Sequence, residues 1–167
     1  DELTATQKKE MGTYFKREIY PLLTPQGIDP AHPFPFISNL ALNLLVTLRF
    51  PGDSETHMAR LKVPVSKDMS RRLIRVDDGD TFVALDDLIA NNLDMLFPGM
   101  EVLQHHTFRV TRNSDLEVEE DDAENLLTAM EKELIRRRFG PPVRLEIEDG
   151  RIETAPQQMP GESGPRQ

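Results

Sequence analysis

Residues 40–50, Leu40-Ala41-Leu42-Asn43-Leu44-Leu45-Val46-Thr47-Leu48-Arg49-Phe50, carry the pattern that sets the fold class. Leu40, Leu42, Leu44, Val46, Leu48 and Phe50 alternate with Ala41, Asn43, Leu45, Thr47 and Arg49. Successive side chains leave a strand on opposite sides, so a period of two predicts a β-strand with one buried face. Pro51-Gly52-Asp53-Ser54 follows as a turn cluster, and Met58, Ala59, Leu61 and Val63 read as an antiparallel partner. Further on, Leu73, Ile74 and Val76, then Asp77-Asp78-Gly79-Asp80, then Phe82 and Val83 predict a second hairpin, with glycine supplying positive φ in the turn.

Helical periodicity flanks these hairpins. Tyr14, Phe15, Glu18, Ile19, Leu22 and Leu23 sit at helical spacing behind a Lys-rich lead-in, and Pro21 limits that helix near its end. Between it and residue 40, Pro25, Pro30, Pro33 and Pro35 fix φ and remove donors, which predicts an ordered connector or a crossing loop. Leu85, Leu88, Ile89, Leu93, Leu96 and Phe97 form one apolar face of a helix that Pro98-Gly99 stops. Residues 101–112 predict a long strand, with Val102, Phe108 and Val110 on one face and Leu103, His105 and Thr107 on the other.

Asp121 with Glu124 resembles a capping box. Leu126, Leu127, Met130 and Leu134 form the stripe of that helix, which Arg136, Arg137, Arg138, Gly140 and Pro141 end. Val143, Leu145 and Ile147 give a last alternating strand. Asp149-Gly150 offers a turn back onto Arg151 to Thr154, and beyond Ala155 the Pro, Gln, Gly and Ser content is too poor in apolar residues to order itself. Strands in adjacent pairs predict one α+β domain over residues 1–149, with a mixed, largely antiparallel sheet and about three helices, followed by a low-complexity tail over 150–167.

The 167 residues hold 20 Lys+Arg against 29 Asp+Glu, a net charge of −9, so generic nucleic-acid binding is not expected. No cysteine is present, which excludes a disulfide scaffold, thiol catalysis and a thiolate metal site, and suits a reducing cytoplasm. No apolar run approaches the ~20 residues of a membrane span, and the polar start lacks the order of a secretory signal.

Few residues point to chemistry by themselves. His105-His106 invites a phosphohistidine or a metal, but neighbours in a strand face opposite ways and cannot share a ligand field without a bulge. The acidic run Asp115, Glu117, Glu119, Glu120, Asp121, Asp122 and Glu124 lacks the spacing of a calcium loop and reads as a solvated helix start. Arg60, Lys62, Lys67, Arg71, Arg72 and Arg75 form a locally basic stretch. Folded onto two hairpins, Lys62, Arg71, Arg72 and Arg75 are the candidates for a phosphate-facing patch, because guanidinium forks match phosphate oxygens. Scattered surface charge is the plainer alternative, and dipole complementation is the plainer reading of Arg136-Arg137-Arg138. No Gly-rich phosphate loop, Gly-x-Ser-x-Gly or His-Glu-x-x-His occurs.

Longer blocks carry a resemblance. Asp29-Pro30-Ala31-His32-Pro33-Phe34-Pro35-Phe36-Ile37-Ser38-Asn39-Leu40, Phe97-Pro98-Gly99-Met100, His105 to Asn113, and Leu116 to Asp122 resemble the middle, or head, domain of bacterial polyphosphate kinase. The resemblance runs from the opening helix to Glu148. It implies reversible transfer of the terminal phosphate of ATP to polyphosphate through a phosphohistidine, with Mg²⁺. In that family two later phospholipase-D-like domains hold the phosphohistidine, the ATP residues and the metal residues, while the head contributes dimer contacts and the wall of a polyphosphate tunnel. The implied partners of the whole enzyme are therefore polyphosphate, ATP and a second copy of the chain. No catalytic, cofactor or metal residue of the family maps onto this chain, and His105-His106 belongs to a head-domain strand. The start at Asp1 rather than Met, and a tail that departs from the family pattern, suit a fragment of a larger enzyme. A self-standing interaction module is the competing expectation, and a phosphoacceptor role for His105 or His106 is a third.

Overall fold

A computed structural model describes residues 3–65, 71–76, 80–113 and 139–148. Helix α1 spans Ala5–Tyr14 and opens with a capping box. The Thr4 N–H donates to Gln7 Oε1 at 2.9 Å, and the Gln7 N–H donates to Thr4 Oγ1 at 3.3 Å, so two N-terminal donors gain partners. The chain continues as one wide π turn, Phe15–Ile19, and a 3₁₀ turn, Tyr20–Leu22. Pro21 has no N–H to offer the Arg17 carbonyl, and the ladder changes pitch there, the Tyr20 N–H bonding the Phe15 carbonyl five residues back. Met11, Phe15, Ile19 and Leu23 recur every fourth residue and are all buried.

A short strand, β1 (Gln26–Ile28), lies inside the proline-rich connector with Pro25 before it and Pro30 beyond it. It was not expected from the sequence. Prolines that flank an edge strand leave its donors intact. The expected hairpin follows as β2 (Leu42–Arg49) and β3 (Thr56–Lys62), antiparallel through seven register pairs. Gly52, at φ 82°, allows the tight return between them. The second expected hairpin is β4 (Leu73–Arg75) with β5 (Phe82–Ala84), a separate two-stranded antiparallel sheet.

Leu85 to Phe97 was expected as one helix and is two: α2 (Leu85–Ala90) and α3 (Leu93–Leu96). The Asn91 and Asn92 side-chain amides donate to the Asp87 and Leu88 carbonyls, each at 2.8 Å, and draw the backbone out of the helical ladder. The apolar stripe survives the break, with Leu85, Leu88, Ile89, Leu93 and Phe97 all buried. Two further strands, β6 (Glu101–Arg112) and β7 (Pro142–Ile147), complete a five-stranded sheet of order β1-β3-β2-β6-β7. Every described strand pair is antiparallel, so the α+β class with a largely antiparallel sheet holds. The predicted helix over Asp121 to Arg138, the acidic run and the tail lie outside the described residues.

Register assigns the two sheet faces. Leu44, Val46 and Leu48 meet Leu61, Ala59 and His57 on one side and Thr107, His105 and Val102 on the other. The register slips between Thr47 and Leu48, leaving Leu103 as the extra residue of a bulge. Val102 therefore shares a face with His105 and Thr107, and not with Phe108 and Val110 as simple alternation predicts. On this first face α1, the π turn, α2, α3 and the β4–β5 sheet pack into one core with the strands. Each fully buried side chain such as Phe15, Leu44, Leu85 or Ile89 contributes about 1.5–3 kcal/mol, more than a single cap.

The second face is also covered in part, which corrects the expectation of one buried face. Ile37, Phe108 and Val110 form a smaller cluster there with Leu45, and Asn43 is fully buried. Leu40 and Phe50, at the ends of the alternating run, fall outside β2 and are exposed.

Candidate functional site

The motif-rich connector is tied to the second face through Arg112. Asp29 Oδ1 accepts from the Ala31 and His32 N–H groups at 2.8 and 2.7 Å, closing a local turn. The Asp29 carboxyl is held below its ordinary pKa chiefly by the His32 side-chain hydrogen bond. Eleven residues after Asp29, the Leu40 N–H donates to the Val110 carbonyl at 2.8 Å, and Leu40 takes φ 58°. Arg112 donates from Nε to the Ile37 carbonyl at 2.8 Å and from Nη1 to the Gly140 carbonyl at 2.9 Å. Its guanidinium lies 4.1 Å from the centre of the Phe36 ring, and the Arg112 backbone N–H donates to Asn39 Oδ1 at 2.8 Å. One buried arginine thus joins the connector, the end of β6 and the start of β7.

His105 and His106 leave β6 on opposite faces, opposite Val46 and Leu45 respectively. They share no ligand field. The three His/Asp/Glu side chains that do converge among the described residues are Asp53, Glu55 and His57, whose ligand atoms lie within 4.8 Å of one another at the β2–β3 turn.

Lys62 ends β3, opposite Asn43, and is exposed. Arg71, Arg72 and Arg75 are exposed along the edge of the β4–β5 sheet. The Arg72 carbonyl accepts the Leu85 N–H at 2.7 Å, and the Arg75 guanidinium sits 5.4 Å from the Phe82 ring centre. Arg75 thus belongs to the separate two-stranded sheet with Arg71 and Arg72 just before it in sequence, while Lys62 lies in the large sheet. Asp86 is buried beside this edge, with Oδ1 lacking a hydrogen-bond partner. Its neighbour Asp87 is pushed above its ordinary pKa by burial first, then by the charges of Asp86 and Glu148, with His105 and Arg72 opposing.

Pairing separates the arginines into two sets. Arg17, Arg49, Arg109 and Arg144 each bond a glutamate, Glu18, Glu101, Glu146 and Glu146, at 2.6 to 3.0 Å. Arg60, Arg71, Arg72 and Arg75 have no carboxylate partner among the described residues, and all four come from the locally basic stretch. Arg60, which is not among the candidates Lys62, Arg71, Arg72 and Arg75, alone of the four is buried. Its spacing from Asn43 carries no local sequence signal, since the two meet only across β2 and β3.

A family model described as the polyphosphate kinase middle domain matches residues 6–159. The polyphosphate kinase of Streptomyces coelicolor is 56% identical over 148 residues, which cover 89% of this chain and 19% of the relative. That of Mycobacterium ulcerans is 49% identical over 162 residues, covering 91% of this chain and 22% of the relative. The crystal structure of polyphosphate kinase from Porphyromonas gingivalis is similar over 65% of this chain and 18% of that one, with a TM-score of 0.57 and 28% identity. The chain spans about a fifth of the length of the curated relatives it matches. With the middle-domain model covering residues 6–159, nearly all of its length, the chain belongs to the polyphosphate kinase family.

Proposed function

We propose that this chain serves as the head domain of a polyphosphate kinase, lining the path of the polyphosphate chain and contributing contacts between two copies. The observation that carries the reading is the set of exposed arginines, Arg71, Arg72 and Arg75, that have no carboxylate partner among the described residues while four arginines elsewhere are paired. Exposed guanidinium groups free of ion pairs offer planar donor forks to phosphate oxygens without first breaking an existing bond. Lys62 adds a point charge on the large sheet.

Transfer of the ATP terminal phosphate through a phosphohistidine, with Mg²⁺, belongs in this reading to domains other than the head. The one three-residue cluster among the described residues, Asp53, Glu55 and His57, does not suit Mg²⁺. That ion prefers octahedral oxygen and retained water, whereas an imidazole donor suits zinc, copper or nickel. The part of this chain is to hold and orient a polyanion by charge, with no bond made or broken on its own residues.

The test is a polyphosphate titration at rising salt. Affinity falls steeply with salt and is weakened in the Arg71→Ala/Arg72→Ala variant if these residues face the chain. Absence of binding at low salt overturns the reading and leaves a scaffold. That second reading, a non-catalytic interaction module, draws on β7, where Val143, Leu145 and Ile147 are 62%, 43% and 42% exposed.

A further inference from the structure

Arg60 lies in the middle of β3 and is 7% exposed. Its Nε donates to Asn43 Oδ1 at 2.8 Å, and its Nη1 donates to Gln26 Oε1 at 2.7 Å. Both acceptors are neutral amides. A buried guanidinium ordinarily meets a carboxylate, because removing a full charge from water is costly unless an opposite charge compensates it. Burial lowers the pKa of Arg60, yet an arginine side chain stays charged under all ordinary conditions. The cation is therefore held in place by the fold and not neutralised by it.

The surrounding rows agree. Gln26, Arg60, Leu45 and His106 run side by side across β1, β3, β2 and β6. The next row holds Ile28, Met58, Thr47 and Gln104, and the row on the other side holds Lys62, Asn43, Phe108 and Ile147. None of these twelve residues is acidic. Lys62 follows Arg60 by two residues on the same face, about 7 Å along the strand. Among the described residues the buried side-chain polar atom without a partner is Asp86 Oδ1. The Nη2 group of Arg60, which makes no hydrogen bond among the described residues, is therefore not fully sealed from solvent in a side chain that is 7% exposed.

We infer that Arg60, held by Asn43 and Gln26 and followed by Lys62, is a preorganised receptor for phosphoryl oxyanions on the second face of the sheet. Two cations about 7 Å apart suit a ligand bearing more than one anionic group. The choice of a phosphate chain as that ligand rests on the function proposed above. The receptor itself rests on the arrangement around Arg60.

The experiment titrates sodium tripolyphosphate, orthophosphate and glutarate into the 167-residue chain and follows the Arg60 Nε–H resonance together with binding heat. Three variants accompany it: Arg60→Met, the double variant Asn43→Leu/Arg60→Met, and Arg71→Ala/Arg72→Ala. The double variant removes donor and acceptor together, so that no buried Asn43 oxygen is stranded and the fold is kept. We expect a saturable shift of the Arg60 resonance with tripolyphosphate in the parent chain and in Arg71→Ala/Arg72→Ala. Affinity falls at least tenfold in both Arg60 variants. A folded double variant that binds like the parent overturns the inference, as does an unmoved Arg60 resonance at saturation. Glutarate binding as tightly as tripolyphosphate overturns the phosphoryl assignment. Orthophosphate shifting Arg60 while longer chains do not bind sustains the receptor and removes the proposed polyphosphate path. Tripolyphosphate binding that depends on Arg71 and Arg72 alone sustains that path and removes the receptor.

Discussion

Replacing Arg112 with methionine is expected to destabilise the domain far more than any substitution on the exposed basic edge. Arg112 is 6% exposed and donates to the carbonyls of Ile37 and Gly140 while lying over Phe36. Hydrogen bonds from a charged donor contribute about 1.5–3 kcal/mol each, and a desolvated cation–π contact adds about 0.5–2 kcal/mol. These contributions are not additive, and methionine recovers some packing, so the expected loss is about 3–5 kcal/mol. Against a typical total of about 5–15 kcal/mol this is a large share. Urea unfolding at equilibrium reads it as a lowered midpoint. Arg112→Lys keeps the charge but cannot span two carbonyls 103 residues apart in sequence, Ile37 and Gly140, so it recovers only part of the loss. A loss below about 1 kcal/mol for Arg112→Met would show that the connector is held to the sheet by other means.

Leu40→Gly is expected to raise the thermal midpoint, because Leu40 holds φ 58° while exposed, and glycine relieves a cost of about 1 kcal/mol with little apolar area lost. A lowered midpoint would locate an overlooked contact at Leu40. Thr4→Ala removes the capping box and should cost about 1 kcal/mol in chemical denaturation, against about 2–5 kcal/mol for Leu44→Ala in the core. Equal losses would contradict the placement of the two residues. Asp87→Asn should stabilise at neutral pH. A carboxyl whose pKa is raised on folding is penalised when ionised, so the gain shrinks as pH falls through the raised value and vanishes below the ordinary one near 3.8. A gain that persists at pH 3 in thermal unfolding would assign the effect to something other than ionisation.

The strands were legible wherever period and local pairing agreed. Leu44, Val46 and Leu48 announced β2, and the Pro51-Gly52 turn announced β3 beside it. What escaped depends on partners remote in sequence or on a single extra residue. The Leu103 bulge moves Val102 to the other face, and no composition signal marks it. The break at Asn91-Asn92 arises from side chains that bond backbone carbonyls four residues back, while the leucine stripe that predicts one helix remains buried. The capping box at Thr4 and Gln7 lies in the Lys-rich lead-in, ahead of the apolar spacing that marks the helix.

The candidate site was legible as composition only. A basic stretch over residues 60–75 is visible in one dimension, yet only the fold leaves Arg71, Arg72 and Arg75 exposed and buries Arg60 against Asn43. The family blocks, by contrast, proved to be largely structural at the described positions. Asp29 closes a turn, Ile37 fills the second-face cluster and Arg112 joins three segments.

The decisive measurement is a domain exchange. The middle domain of the Streptomyces coelicolor polyphosphate kinase, which this chain matches at 56% identity, is replaced by this chain, and polyphosphate formed from ATP is measured. The exchanged enzyme is expected to make polyphosphate, with activity falling in the Arg71→Ala/Arg72→Ala version, while the isolated chain makes none. A folded exchange that forms no polyphosphate, or an isolated chain that forms it at the rate of the whole enzyme, would contradict a supporting role as the head domain.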